Sequence, residues 1–279
     1  MGKFENFIIC SDFDGTFHSH NNAAAEKNIN AIEYFKQNGG LFTFATGRDL
    51  FSFINACSNA GKIANTYAVV ANGARLYDFK TKRFIADIPL KLHKFLPLMR
   101  RLSEVCPFAG IRLSFEDCFV LPYHNELIRI EFGDRSYEKH IKIIPFDELE
   151  KSQPAIYKCV IVYEAAELDK IKQFLEMLDT ASDFKFSKSY PTGLEVIDSS
   201  TDKGKMLIKL KQTVNPAAKT FAIGDYLNDI EMLNAADCAA APENALPEVK
   251  AVAALRTGHC DQGALADLIN QIENMRIQP

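Results

Sequence analysis

The chain has 279 residues, 47% of them hydrophobic, with a formal net charge of -4 and a sequence pI of about 5.9. That length is at the upper edge of what one hydrophobic core holds, so two domains are expected. The weak negative balance gives no general field for a polyanion and argues against nucleic acid as a main partner, although a few local cations would suffice for a small anionic substrate. No apolar stretch is long enough to cross a bilayer, and the start, MGKFEN, lacks a basic region followed by a long apolar one. Residue 6 is Asn where a myristoylation signal needs Ser or Thr, so the expected compartment is the cytoplasm, with no membrane association. Cys10, Cys57, Cys106, Cys118, Cys159, Cys238 and Cys260 form no CxxC pair and are expected as reduced core residues. No protein partner is evident.

In chain order, Phe7 to Cys10 is a short apolar run that predicts a buried strand, followed by Ser11, Asp12 and a Gly15-Thr16 turn. A helical face of Ile29, Ile32 and Phe35 runs from about Ala24 to Gln37 and stops at Gly39-Gly40. Leu41 to Ala45 predicts a second strand ending in Thr46-Gly47-Arg48. A helical stretch through Leu50, Ile54 and Cys57 follows, and Thr66 to Ala71 predicts a third strand. This alternation predicts an α/β fold, a parallel sheet with helices on its faces that binds ligands at the carboxyl ends of its strands. Asp12 and Thr46 both stand at such ends. Asn72-Gly73 is a two-residue hairpin signal with Arg75 to Asp78 as the return strand.

From about Lys80 to Pro191 the texture changes to apolar runs (Phe84–Ile88, Ile111–Phe115, Phe119–Leu121, Ile156–Tyr163, Phe184–Phe186) and two helical stretches near 91–105 and 166–179, which read as a separate α+β unit. The α/β pattern returns after Leu194–Ile197, with a helix from about Lys203, a strand Thr220 to Ile223 ending at Gly224-Asp225, a helix from about Asn228, and Cys238 to Ala241. The expected organisation is a core at 1–79 and 192–279 interrupted by a second domain at 80–191. Hinges are expected near Arg75–Lys80 and Tyr190–Leu194.

Four polar segments at predicted strand ends or helix starts supply the groups that phosphoryl transfer through an aspartyl intermediate requires. They are Asp12-Phe13-Asp14-Gly15-Thr16, Thr46-Gly47-Arg48, Lys203-Gly204, and Gly224-Asp225-Tyr226-Leu227-Asn228-Asp229. Alone, Asp-x-Asp is weak, since it also marks metal–nucleotide sites in glycosyltransferases. Together and in this order, the segments resemble the four motifs of the haloacid dehalogenase superfamily. Ala71-Asn72-Gly73, the Lys203-Gly204-x-x-Leu207 run and the large insert further resemble the Cof-like phosphatases of subclass IIB. The resemblance implies a Rossmann-like parallel-sheet core with an inserted α+β cap domain.

Charge must be neutralised before an anionic nucleophile reaches a phosphate dianion. Mg²⁺, a hard ion, suits oxygen donors, and the resemblance implies the carboxylates of Asp12 and Asp225 and the main-chain carbonyl of Asp14 as its ligands. It also implies Asp12 as nucleophile, with Asp14 protonating the leaving oxygen and then activating water. Lys203 fits as the cation that holds Asp12 and the phosphoryl oxygens. Lys205 is equally available in the Asp202-Lys203-Gly204-Lys205 run, and only the family register, Lys directly before Gly, selects Lys203. Thr46 and the main-chain N–H of Gly47 fit phosphate binding, a role compatible with Thr46 as a helix cap.

Asn228 and Asp229 are expected to orient Asp225, the metal's waters or Lys203, or else to cap a helix. Arg48 is left out of the catalytic set, because an Arg at a helix start as easily pairs with a scaffold acid. Asn72 either approaches the substrate or sets the hairpin turn. His18 and His20 invite a metal reading that the lack of further His or Cys ligands nearby disfavours. Pro242-Glu243-Asn244-Ala245 replaces the more usual Met-Gly-Asn-Ala, with Asn244 keeping the motif position.

The expected function is Mg²⁺-dependent hydrolysis of a small phosphorylated metabolite, sugar phosphates being the commonest substrates among similar proteins. A phosphomutase is the closest alternative and a non-catalytic metabolite or metal sensor a more distant one. Asp14 disfavours the P-type ATPase branch, which has Thr there, and the haloalkanoate dehalogenases, which lack the acid/base. Arg112, His124, Arg129, Lys158, Lys188 and Tyr190 are the polar cap residues available to read the leaving group, or simple surface charges.

Overall fold

The strand Phe7–Ser11 (β1) lies inside the first sheet with Ile8, Ile9 and Cys10 all fully buried, as a strand covered by helices on both faces requires. The structure is a computed structural model describing residues 2–19, 21–132 and 140–277; His20, one half of the His-x-His pair, lies outside them. Strand β2 (Leu41–Phe44) pairs in parallel with β1, from Ile8↔Leu41 to Ser11↔Phe44. Next come β3 (Ala68–Val70), β4 (Arg75–Asp78) and β5 (Arg83–Asp87), which form a separate small sheet. An isolated parallel bridge, Ala45↔Val69, ties β3 to the end of β2. The insert contributes β6 (Gly110–Ser114), β7 (Phe119–Leu121), β8 (Ile141–Ile143), β9 (Lys158–Val162), β10 (Phe184–Tyr190) and β11 (Gly193–Asp198). The chain then returns for β12 (Lys219–Ile223), β13 (Cys238–Pro242) and β14 (Leu255–Thr257), which complete the first sheet in the order β14-β13-β12-β1-β2, parallel throughout.

Two compact units result, one of Met1–Arg48, Ser52–Ala86 and Asp202–Pro279, the other of Asp49–Phe51 and Asp87–Thr201. In the first, the helix Asn22–Gln37 starts where Asn21 accepts the N–H of Ala23 at 3.0 Å, and it buries a stripe of Ala24, Asn28, Ile32 and Phe35. It stops at Asn38 and Gly39, the latter at φ +91°. Asn28 is a buried polar residue with a structural task. Its side-chain oxygen accepts the N–H groups of Leu265 and Ala266, both at 3.1 Å, so it satisfies first-turn donors of the helix Ala264–Ile277 that would otherwise be orphaned.

The helix Lys203–Val214 is capped by Asp202, which accepts the N–H of Lys205 at 2.8 Å. Gly204 packs so closely on the neighbouring helix Ile230–Ala235 that an added Cβ would lie 2.3 Å from the carbonyl oxygen of Glu231. Gly204→Ala should therefore destabilise the protein by about 1–3 kcal/mol, because overpacking outweighs the ~1 kcal/mol gained in helix propensity. Thermal unfolding checks this, and a raised Tm would show that the two helices separate without cost.

Two sequence expectations change here. Asn72-Gly73 does not make a two-residue hairpin: β3 and β4 pair at Val70↔Arg75, and the link runs through Ala71, Asn72 and Gly73 at φ 51°, 54° and 95°. Gly73 is required, since a Cβ there would meet the carbonyl carbon of Asp202 at 2.3 Å. The run Leu194–Ile197, read as the return to the first domain, instead lies within β11, hydrogen-bonded between β9 and β10. Its alternation of apolar Leu194 and Val196 with Glu195 fits a sheet with two different faces.

In the second unit the sheet order is β10-β11-β9-β6-β7-β8, with only the β7–β8 neighbours parallel. Ile111, Leu113, Cys159, Ile161, Leu194 and Val196 share one core with Phe95, Met99 and Leu175 of the helices Leu92–Val105 and Leu168–Glu176. The alternate residues Arg112, Ser114, Lys158 and Glu195 are also buried, and Lys158 bonds Glu195 at 3.0 Å. All seven cysteines are free. Among the described residues, no helix is long and apolar enough to cross a membrane.

Candidate active site

β1 ends one residue before Asp12, whose N–H donates to the carbonyl of Ile223 on β12 at 2.9 Å. This bond continues the parallel ladder by one step and fixes the Asp12 backbone between the ends of two strands. Lys203, at the first turn of its helix and fully buried, donates to Asp12 Oδ1 at 2.6 Å and to Asp229 Oδ1 at 2.7 Å. The other oxygen of Asp229 accepts the N–H groups of Asp225 and Tyr226, each at 3.1 Å. Asp225 Oδ1 accepts the hydroxyl of Thr16 at 2.8 Å. Gly15, at φ +78°, lets the first loop approach this carboxylate: a Cβ there would stand 2.5 Å from Asp225 Oδ2.

Carboxylate oxygens of Asp12, Asp225 and Asp229 all lie within 4.8 Å of one another. Burial pushes the Asp12 carboxyl well above the usual range, with Asp229 adding to the rise and Lys203 opposing it. Asp225 is raised to about 7 by burial and by Asp229, against the pull of the Thr16 hydroxyl and Lys203. Burial alone would lower the Lys203 ammonium, but the charges of Asp12 and Asp229 more than offset it and hold it protonated. One ammonium thus faces three carboxylates, and negative charge is in excess. Asp229 is saturated by Lys203 and two main-chain donors, whereas Oδ2 of Asp12 and of Asp225 receive no hydrogen bond from the described residues. Two hard anionic oxygens with surplus charge are a donor set that fits a divalent cation.

The other expected residues gather at the same strand ends. Thr46 is fully buried after β2, and its hydroxyl oxygen accepts the N–H of Arg48 at 3.0 Å. Gly47 sits against Asn72, whose amide oxygen would be 3.2 Å from a Cβ at that position. The Asn228 side chain donates to Asn72 Oδ1 at 3.0 Å. Asn72 itself lies in the left-handed link before β4, at φ 54°. The Asp14 carboxylate lies outside the acidic cluster, about half exposed, and is held by Arg48 at 2.7 Å through each oxygen.

Thr16, given no role from the sequence, and Arg48, left out of the catalytic set, each bond an acid of the four segments. Thr16 was visible as the hydroxyl ending the Asp-x-Asp-Gly-Thr segment, whereas nothing local distinguished Arg48 from a scaffold arginine. Asn244 ties two loops together: its amide donates to the carbonyl of Gly15 at 2.7 Å and its oxygen accepts the N–H of Cys260 at 3.0 Å. His18 stacks on Phe13, centroids 5.3 Å apart, and takes no part in an acidic or thiol cluster among the described residues. A cleft of about 600 Å³ lined by Leu41, Asn65, Tyr67, Asp78 and Lys80 lies at the amino end of β2 and holds none of the site residues.

A buried carboxylate–lysine–carboxylate cluster thus stands at the ends of the strands of a parallel α/β sheet. A model of the haloacid dehalogenase-like hydrolase family matches residues 9–269, and the chain belongs to that family. An HMP-PP phosphatase of Yersinia pseudotuberculosis is 27% identical over 268 residues, covering 94% of each chain. A haloacid dehalogenase-like hydrolase from Bacteroides thetaiotaomicron superposes with a TM-score of 0.77 at 21% identity, over 95% of this chain and 98% of that one. A protein described as a HAD subclass IIB sugar phosphatase does so with a TM-score of 0.76 at 19% identity, over 95% and 98%. The chain is a hydrolase of this family.

Proposed function

We propose that the chain is a Mg²⁺-dependent phosphatase that removes phosphate from a small phosphorylated metabolite, a sugar phosphate by preference, through a phosphoryl group carried on Asp12. The observation that carries this reading is the buried Asp12–Lys203–Asp229 chain at 2.6 and 2.7 Å beside Asp225. Lys203 holds Asp12 through Oδ1 and fixes the carboxylate at the strand end, from which it attacks phosphorus. As that P–O bond forms, the bond from phosphorus to the leaving oxygen breaks, and Asp14 gives this oxygen a proton. Water then attacks the same phosphorus, Asp14 takes its proton, and inorganic phosphate leaves with Asp12 restored. Thr46 and the Gly47 N–H hold the phosphoryl oxygens at the end of β2.

Asp12 and Asp225, with the main-chain carbonyl of Asp14, are the residues assigned to hold Mg²⁺, which would supply neutralising charge for the phosphate dianion. Asp229 positions Lys203 and the Asp225 backbone, and Asn228 acts through Asn72. The sugar-phosphate preference is supported by the sugar phosphatase among the similar structures, and the relatives named HMP-PP phosphatase also act on a phosphorylated substrate by their name. We assign the choice of substrate to the inserted unit and the working compartment to the cytoplasm.

A panel of phosphate monoesters assayed for released phosphate tests this directly. Chelation by EDTA is expected to reduce turnover to background and added Mg²⁺ to restore it. Turnover that persists in excess chelator would sink the metal assignment, and phosphate retained on the sugar would make the enzyme a mutase.

A further inference from the structure

We propose that Arg48 is a positioning residue for Asp14, a step that deepens the function proposed above and rests on Asp14 being its proton carrier. The geometry is a two-point fork: Nε donates to Asp14 Oδ2 and a terminal nitrogen to Oδ1, both at 2.7 Å. A carboxylate has about four lone-pair sites and a planar guanidinium occupies one on each oxygen. The fork therefore fixes the plane of the carboxylate and leaves a site on each oxygen for the proton that Asp14 moves. Asp14 needs such a partner. Its side chain is 47% exposed and precedes a glycine in the left-handed region, so packing alone does not restrict its rotamer.

Arg48 is itself well anchored. Its N–H donates to the Thr46 hydroxyl oxygen at 3.0 Å, its carbonyl accepts the N–H of Ala71 at 2.8 Å, and its guanidinium carbon lies 5.7 Å from the centroid of the Phe13 ring. Main-chain bonds on both sides hold the residue at the end of β2, while the ring flanks the fork. An arm fixed in this way transmits the geometry of the β2 end to a loop that starts from β1. A lysine at position 48 keeps the charge but loses the fork and its plane.

A double-mutant cycle with 4-nitrophenyl phosphate and Mg²⁺ tests the assignment. Arg48→Met is expected to lower kcat by about 10–10²-fold, the scale of a misplaced catalytic group, with KM changed less than about threefold. Asp14→Asn is expected to cost about 10²–10⁴, and adding Arg48→Met to it should cost little more. Arg48→Lys, the variant to rely on if Arg48→Met folds poorly, should recover only a minor part of kcat. Losses that multiply in the double mutant, a rise in KM at unchanged kcat, or full recovery by lysine would each overturn the positioning role, because each has Arg48 acting independently of the fork. Wild-type turnover in Asp14→Asn would instead overturn the underlying reading of Asp14.

Discussion

Asp12→Ala is expected to lower phosphate release by at least about 10⁴-fold, on the scale seen when a nucleophile is removed from an enzyme whose groups act as a unit. The same substitution should leave the fold at least as stable. Burial and the neighbouring carboxylate of Asp229 raise the Asp12 pKa in the folded state. An acid whose folded pKa lies above its unfolded value is more costly to ionise in the folded protein, so at neutral pH its charge works against folding. Removing it relieves crowding among Asp12, Asp225 and Asp229 and leaves Lys203 its bond to Asp229. In metal-free buffer the Tm of Asp12→Ala should therefore match or exceed that of wild type. Lost activity with a Tm lowered by several degrees would mean that the variant is misfolded and says nothing about attack. Undiminished activity would refute Asp12 as nucleophile.

Lys203→Met should damage both activity and stability. Methionine fills much of the same volume but leaves Asp12 and Asp229, 5% and 0% exposed, without the cation that pairs them. Breaking a buried pair from one side typically costs about 3–5 kcal/mol. At 2–4 °C per kcal/mol for a chain of this size, that is a loss of about 10 °C in Tm. Because burial and the neighbouring charge of Asp229 raise the Asp12 carboxyl in the folded state, the deficit should shrink as pH falls toward 5. Asp229→Asn in the same background should return part of the lost stability by removing one of the stranded charges. Thermal unfolding of the three proteins at pH 5 and pH 8 checks both statements, and a Tm deficit independent of pH would locate the cost in packing.

These contrasts show where local sequence signals end. The strands that carry the site were legible because each is an apolar run cut off by a polar loop: Phe7–Ser11, Leu41–Phe44 and Lys219–Ile223 lie close to their predicted places. The helix Lys203–Val214 was equally readable. The family followed from the order of four short segments, since few chains place those residue types at successive strand ends. Less readable was the segment Ala71–Gly73, where an Asn-Gly pair has the composition of a hairpin turn. The close approach of Asp202, far away in sequence, leaves no room for a Cβ at position 73, and the segment is a left-handed link instead.

The order of the four segments, read as a resemblance to one family, singled out Asp12, Asp14, Thr46, Lys203 and Asp225 as the expected chemical kit. Which groups meet was decided elsewhere. Parallel pairing of β1 between β2 and β12 brings Asp12 to a lysine 191 residues away. Helical geometry turns Lys203 inward and leaves Lys205, two positions on, with half of its side chain exposed. The bonds of Arg48 to Asp14 and of Asn228 to Asn72 likewise join segments distant in sequence. Periodicity and spacing describe only a residue's immediate neighbours along the chain, whereas these contacts depend on strand register and helix packing.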